Sequence, residues 1–271
     1  MPVDNHLYIK AGHKNGKTFL QQSFSRQPFK VANITEDKNE DLLRLMIMSS
    51  SPGILNNDDY LIGIDVEERA AMEITTQGYQ RLFTMSNCAT QHMNIRIADT
   101  GSFRFLPHPS VPHKASNFFA TNNIYLLRTH NLVWSEIITC GRKHCGEEFE
   151  FTRFQTLTNI YLENKLVVKE NVLMEPVRSN PYTIGQLEGY SHQSTLLFIN
   201  DRVDMIKMSA QCHEFLSQIN NILFGVSMLP VNGIIVRILG HHAEELFNCN
   251  NDLAKIISQE NMKRALPQEL I

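Results

Sequence analysis

The sequence predicts a mainly β protein: a layered, sandwich-like single domain that ends in two α-helices. Three observations carry this. Apolar residues alternate with period two from about residue 60 to 200, the mark of strands with one buried face. Turn-forming residues punctuate that pattern at short intervals. After residue 201 the spacing changes to that of helices.

In chain order, Ile62, Ile64 and Val66 alternate with Gly63 and Asp65, and Ala70, Met72 and Ile74 with Ala71 and Glu73. The same beat returns at Met93-Ile95-Ile97, Phe103-Phe105, Ile124-Leu126, Leu132-Trp134, Phe149-Phe151 and Leu166-Val168. Ser51-Pro52-Gly53, Asp99-Thr100-Gly101, Thr129-His130-Asn131 and Glu163-Asn164 supply the turns. Many short strands so spaced indicate stacked sheets rather than βαβ units. Val203, Ile206, Ala210, Leu216, Ile219 and Leu223 then recur at helical spacing, as do Leu246, Cys249, Leu253 and Ile256, with Glu244 and Glu245 suited to a first helical turn. A strand over Gly233–Leu239 separates the two helices. Residues 33–41 read as a polar loop, and no linker or repeat divides the chain. Residues 1–271 therefore form one domain, β-rich over 1–200 and mixed or helical over 201–271.

Composition narrows the class. Hydrophobic residues make up 42% and charged residues 20% of the 271, as in ordinary globular proteins. A net charge of -3 gives nucleic-acid binding no support. The most apolar stretch, Ile219 to Leu239, is interrupted by Asn220, Asn221, Pro230, Asn232 and Arg237, so no membrane span is expected. The start, Met1-Pro2-Val3-Asp4-Asn5-His6, carries no secretory signal. Five scattered cysteines then read as reduced thiols in a cytoplasmic protein.

Several motifs imitate chemistry. Gly12-His13-Lys14-Asn15-Gly16-Lys17-Thr18 has three residues between its glycines where a phosphate loop needs four, and no convincing strand before it; it reads as a hairpin turn. Cys140 and Cys145 lack a second Cys/His pair to complete a zinc tetrahedron. His241 and His242 are adjacent and point apart, and His108 and His113 sit among prolines in an irregular connection. No nucleophile elbow, zinc-protease helix or dinucleotide fingerprint occurs, so an enzyme is not expected.

Strand parity gives a less expected signal. Leu132, Trp134, Glu136 and Ile138 share one face, and Leu166, Val168, Glu170, Val172 and Met174 another. Extending parity back from Ile62 turns Tyr60 and Asp58 inward too. An unpaired carboxylate in an apolar interior is expensive, so each acid needs a partner. Two readings stand: salt bridges to Arg81, Arg128 or Arg142, or a carboxylate-lined path for a divalent metal. Carboxylate oxygens hold transition metals less tightly than thiolate or imidazole sets, which suits release.

Four collinear segments resemble one family. Ser51-Pro52-Gly53-Ile54-Leu55-Asn56-Asn57-Asp58 is similar to the glycine-rich segment of UreD (UreH) urease accessory proteins. Glu73 to Phe83 and Phe105-Leu106-Pro107-His108-Pro109 resemble two further blocks. Trp134-Ser135-Glu136-Ile137-Ile138-Thr139-Cys140-Gly141-Arg142, followed by Gly146-Glu147-Glu148-Phe149, resembles a fourth. Together they run from about residue 45 to 175. Two family glycines are Asn56 and Asn57 here, a family lysine is Arg81 and a tyrosine is Phe83, the marks of a divergent member. Asn tolerates left-handed backbone angles better than most residues.

The resemblance implies a non-enzymatic scaffold that binds UreF, and through it the GTPase UreG, and docks on apo-urease during nickel insertion. It implies no stably bound cofactor, only transient nickel, and it aligns Asp58, Glu136 and Glu170 with a nickel path. The amphipathic last helix, through Leu246, Leu253 and Ile256, is assigned to partner contact. Two alternatives remain at this point. One is a metal-dependent hydrolase using the same carboxylates, which would need histidine ligands beside them; the other is a pure interaction module without metal contact.

Overall fold

The computed structural model describes residues 6–37 and 40–265. The reading of the first five residues as free of a secretory signal lies outside the described ones, as do positions 38 and 39 of the polar loop.

The chain opens on an antiparallel hairpin of β1 (Leu7–Lys14) and β2 (Lys17–Ser25). Its turn residues, Asn15 and Gly16, have φ of 54° and 73°, angles that Asn and Gly adopt at least cost. The glycine motif is thus a hairpin turn, as expected, but a strand does precede it. Leu7, Ile9 and Ala11 alternate inward with no exposed surface.

β3 (Phe29–Asn33) and β4 (Leu43–Ser49) follow, then β5 (Asp59–Val66), β6 (Ala71–Thr76), the short β7 (Gln80–Leu82) and β8 (Ala89–Ile97). Next come β9 (Gly101–Phe105), the short β10 (Ser110–Pro112), β11 (Asn117–Leu126), β12 (His130–Thr139), β13 (Arg153–Leu162) and β14 (Lys165–Met174). The last part holds β15 (His192–Asn200), α1 (Met205–Ser217), β16 (Leu223–Met228), β17 (Gly233–Gly240) and α2 (Ala243–Ala265).

These strands make two stacked sheets. The first runs β14-β13-β11-β8-β5-β1-β2; the second runs β16-β17-β15-β12-β9-β6-β4-β3, with β7 and β10 beside it. From β4 to β13 the main strands alternate between the sheets, β4, β6, β9 and β12 falling in one and β5, β8, β11 and β13 in the other. Successive strands within each sheet therefore pair in parallel. Parallel pairing needs a long crossover, usually a helix; here the crossover is a strand of the opposite sheet. In-register parallel pairing also stacks like residues on the outer face of the first sheet. Asn94, Asn123 and Asn159 form a hydrogen-bonded row, and Tyr125 stacks on Tyr161 at 4.9 Å.

One core fills the space between the sheets, with Ile64, Ile95, Ile124 and Ile160 facing Phe103, Trp134, Leu197 and Ile235. A second core lies on the outer face of the second sheet. There Val133, Ile137, Phe198 and Val236 meet Met208, Cys212 and Leu216 of α1 and Leu246, Leu253 and Ile257 of α2. Asp204 caps α1 by accepting from the backbone N–H of Ile206 and Lys207 at 3.1 and 3.2 Å. Asn250 fixes the seat of α2: its Nδ2 donates to Ser135 Oγ at 2.7 Å, and Ser194 Oγ donates to its Oδ1 at 3.0 Å.

Several sequence expectations change here. Leu246 and Leu253 have no exposed surface and Ile256 is half-buried, so the apolar stripe of α2 lies against the outer face of its own sheet. Helical spacing reveals that a face is apolar, not what covers it. Leu223 lies on edge strand β16, because the helix ends at Ser217 and Asn221 turns the chain at φ 62°. A bulge in β14 throws Leu166 outward, 45% exposed, while Val168 keeps its inward place. Phe149 and Phe151 are buried but lie in an irregular connection, not a strand. All five cysteines are free; burial pushes the thiols of Cys140, Cys212 and Cys249 up to about 11, where they stay protonated and inert.

Candidate functional site

Near one end of the sandwich the two sheets part around a cavity of about 500 Å³. Its outermost lining includes Pro52, Gln77, Gly78 and Tyr79, all exposed, which makes the 51–53 and 76–81 turns its mouth. Gly53 belongs there for want of room: a Cβ would collide with the carbonyl oxygen of Arg81 and come within 2.9 Å of the Phe83 ring. The walls are aromatic, with Phe29, Tyr60, Phe118 and Phe154 on different strands and Phe105 stacked on Trp134 at 4.6 Å.

α2 braces the mouth. Tyr79 OH donates to Glu244 at 3.1 Å, and the His108 ring stacks on Phe247 at 4.3 Å. His108 does lie in an irregular connection, as the prolines around it suggested, but it also lines the cavity. Burial depresses its pKa, which favours the neutral, stacked ring.

Glu136 is the acid inside. β12 places it one step beyond Trp134 on the sheet-facing side, deep in the molecule but with part of its surface open to the cavity. Its Oε1 accepts from Asn122 Nδ2 at 3.0 Å, Trp134 Nε1 at 3.1 Å and Thr158 Oγ1 at 3.1 Å. Its Oε2 accepts from Thr156 Oγ1 at 2.9 Å. Among the described residues no cation pairs with it. Burial raises its pKa; the bonds from Thr156, Trp134 and Thr158 pull back, and the charge of Glu170 adds to the rise. It is a carboxylate surrounded by neutral donors at the edge of an interior space.

The other two acids are held differently. Glu170 lies opposite Thr158 across β13 and β14. Arg237 Nη2 on β17 donates to its two oxygens at 2.9 and 2.7 Å, linking edge strand β14 of the first sheet to the second strand in from the edge of the other. Asp58 closes the turn before β5: its Oδ2 accepts from the Leu55 N–H at 2.7 Å and from Tyr60 OH at 2.8 Å. Asn57 takes φ of 67° in that turn. Neither acid lines the cavity: Asp58 meets the wall residue Tyr60 at its hydroxyl, and Glu170 lies across the strand pair from Thr158. Among the described residues no three His, Cys, Asp or Glu side chains converge to hold a metal ion.

The cations suggested by sequence lie elsewhere: Arg128 beside Glu163, Arg142 beside Glu147 and Arg81 at the cavity mouth. The partner of Glu170 is Arg237, outside that set. Parity carries the signal, since Arg237 follows Ile235 by two residues on the same strand face, and Ile235 is in the inter-sheet core. No described helix is long and apolar enough to cross a membrane.

Comparison with known proteins covers nearly the whole chain. The family model for the UreD urease accessory protein matches residues 4–271. A urease accessory protein UreD from Flavobacterium johnsoniae is 46% identical over 245 residues, spanning 90% of this chain and 88% of its own. A UreD protein from Acetivibrio thermocellus is 30% identical over 244 residues, covering 90% and 93% of the two chains. A protein named UreH from Helicobacter hepaticus is 30% identical over 242 residues, covering 89% and 92%.

Proposed function

The chain belongs to the UreD family of urease accessory proteins, and from that premise we propose that it serves urease maturation as a cytoplasmic, non-catalytic scaffold past which nickel travels. It binds UreF, gains the GTPase UreG through UreF, and docks on apo-urease. Nickel enters as cargo and meets the carboxylate of Glu136 in the cavity, with Asp58 and Glu170 as further acidic stations.

The observation that supports this most is Glu136 itself. A structural carboxylate in an interior normally has a cation beside it, as Glu170 has Arg237. Glu136 has four neutral donors and an adjoining space instead. A passing divalent cation would supply the missing charge, and one carboxylate without imidazole or thiolate neighbours would let it leave.

Co-purification with UreF, UreG and apo-urease, followed by urease activation with nickel and GTP, tests the reading. Glu136→Gln should assemble normally and activate poorly. Full activation by Glu136→Gln would remove nickel from the account and leave an interaction module.

A further inference from the structure

We propose that the donors ringing Glu136, Thr158 foremost, are positioning residues that weaken the cavity's grip on a divalent cation. This rests on the reading that nickel meets Glu136, and it assigns those donors a task beyond satisfying a buried acid.

The argument is one of counting acceptor sites. An ionised carboxylate offers about four lone-pair positions, two on each oxygen. Oε1 of Glu136 receives three donors, from Asn122, Trp134 and Thr158, one more than its two positions take singly, so it is crowded and each donor draws on the negative charge a cation would use. Oε2 receives one, from Thr156, so one position remains. A cation arriving from the cavity can take that single position. To chelate both oxygens it must first displace donors from Oε1.

Displacement is costly because Thr158 lies off the cavity wall and its hydroxyl donates to Glu136 alone among the described residues. Thr158 is 1% exposed and Asn122 is 3% exposed. They also hold each other, Asn122 Nδ2 donating to Thr158 Oγ1 at 3.0 Å. A buried donor stripped of its acceptor loses its hydrogen bond without regaining one from water. The ring therefore keeps Glu136 a one-oxygen ligand, a poor store and a ready point of transfer.

Thr158→Val keeps the shape and deletes the hydroxyl; Thr158→Ser keeps the hydroxyl. Nickel(II) alone is titrated calorimetrically into the purified full chain at about pH 8, where protons compete least for a carboxylate. Thr158→Val should bind nickel about tenfold tighter, the scale of one charge-assisted hydrogen bond no longer competing. It should also activate urease more slowly when nickel is limiting. Thr158→Ser should return both readouts toward wild type, which a mere packing role for the side chain would not require. Thr156→Val, which frees the second oxygen instead, should tighten binding in the same way and serves if Thr158→Val does not fold.

Unchanged or weaker nickel binding in the folded valine variants would overturn the proposal. Glu136→Gln separates the two levels of the account. If that variant binds nickel as well as wild type, the reading of Glu136 as the nickel contact fails. If it loses binding while the valine variants match wild type, only the positioning role fails.

Discussion

Replacing Arg237 with alanine isolates what Glu170 does. Arg237 joins β17 to β14 through one nitrogen, 2.9 and 2.7 Å from the two carboxylate oxygens. Opposite charges about 4 Å apart attract by about 4 kcal/mol at an effective dielectric near 20. Desolvation and screening reduce that figure. The Arg237 side chain is 48% exposed and the Glu170 side chain 15%, so the pair lies between a surface bridge and a buried one. A net coupling of about 1–2 kcal/mol follows, above an exposed pair and below a buried one that loses a partner. The assay is a double-mutant cycle in urea, with Arg237→Ala, Glu170→Gln and the double variant. Coupling below about 0.3 kcal/mol would mean that the bridge does not tie the sheets together, refuting the structural half of the reasoning. Urease activation by the same variants addresses the other half. If Glu170 serves nickel as well, Glu170→Gln should lower activation in the Arg237→Ala background too.

Glu136 should leave a signature in stability against pH. Burial raises its folded pKa, so its contribution is fully present below the ordinary carboxylate value near ~4.3 and is lost as pH rises through the raised folded value. Wild type should lose stability relative to Glu136→Gln across that window in urea melts; parallel profiles would contradict this. Leu253→Ala, at a position with no exposed surface, should cost about 2–5 kcal/mol in the same melts. If it instead weakened partner binding at unchanged stability, Leu253 would face a partner after all. Asn250→Ala leaves the buried Ser135 and Ser194 hydroxyls without their partner and should cost about 1–3 kcal/mol, with an unchanged midpoint arguing against the polar seat of α2.

Strand parity carried much of the site. It turned Glu136 toward the core because Leu132 and Trp134 flank it at even spacing, and the structure has all three on that face. Parity failed at Leu166, where a bulge adds one residue to the strand, and local sequence gives little warning of an unpaired residue. The direction of pairing was not legible at all. An inward Ile looks the same whether its neighbour runs parallel or antiparallel, so the alternation of the chain between two sheets emerged only from the fold. The helices show the same limit. Leu246 and Leu253 form an apolar stripe in the sequence, and the sheet that covers it is assembled from residues far away in the chain. The cavity was hidden for a related reason, since its walls come from strands of both sheets and its mouth from two separate turns. Resemblance located the family on segments from about 45 to 175, whereas the family model extends over residues 4–271.

The most direct test of the central claim is urease activation by purified components with Glu136→Gln in place of wild type. Complex formation is followed by size-exclusion chromatography, and nickel in the urease by elemental analysis. The account predicts an intact complex, little nickel delivered and little activity gained. An intact complex that loads nickel and activates urease as wild type does would contradict it.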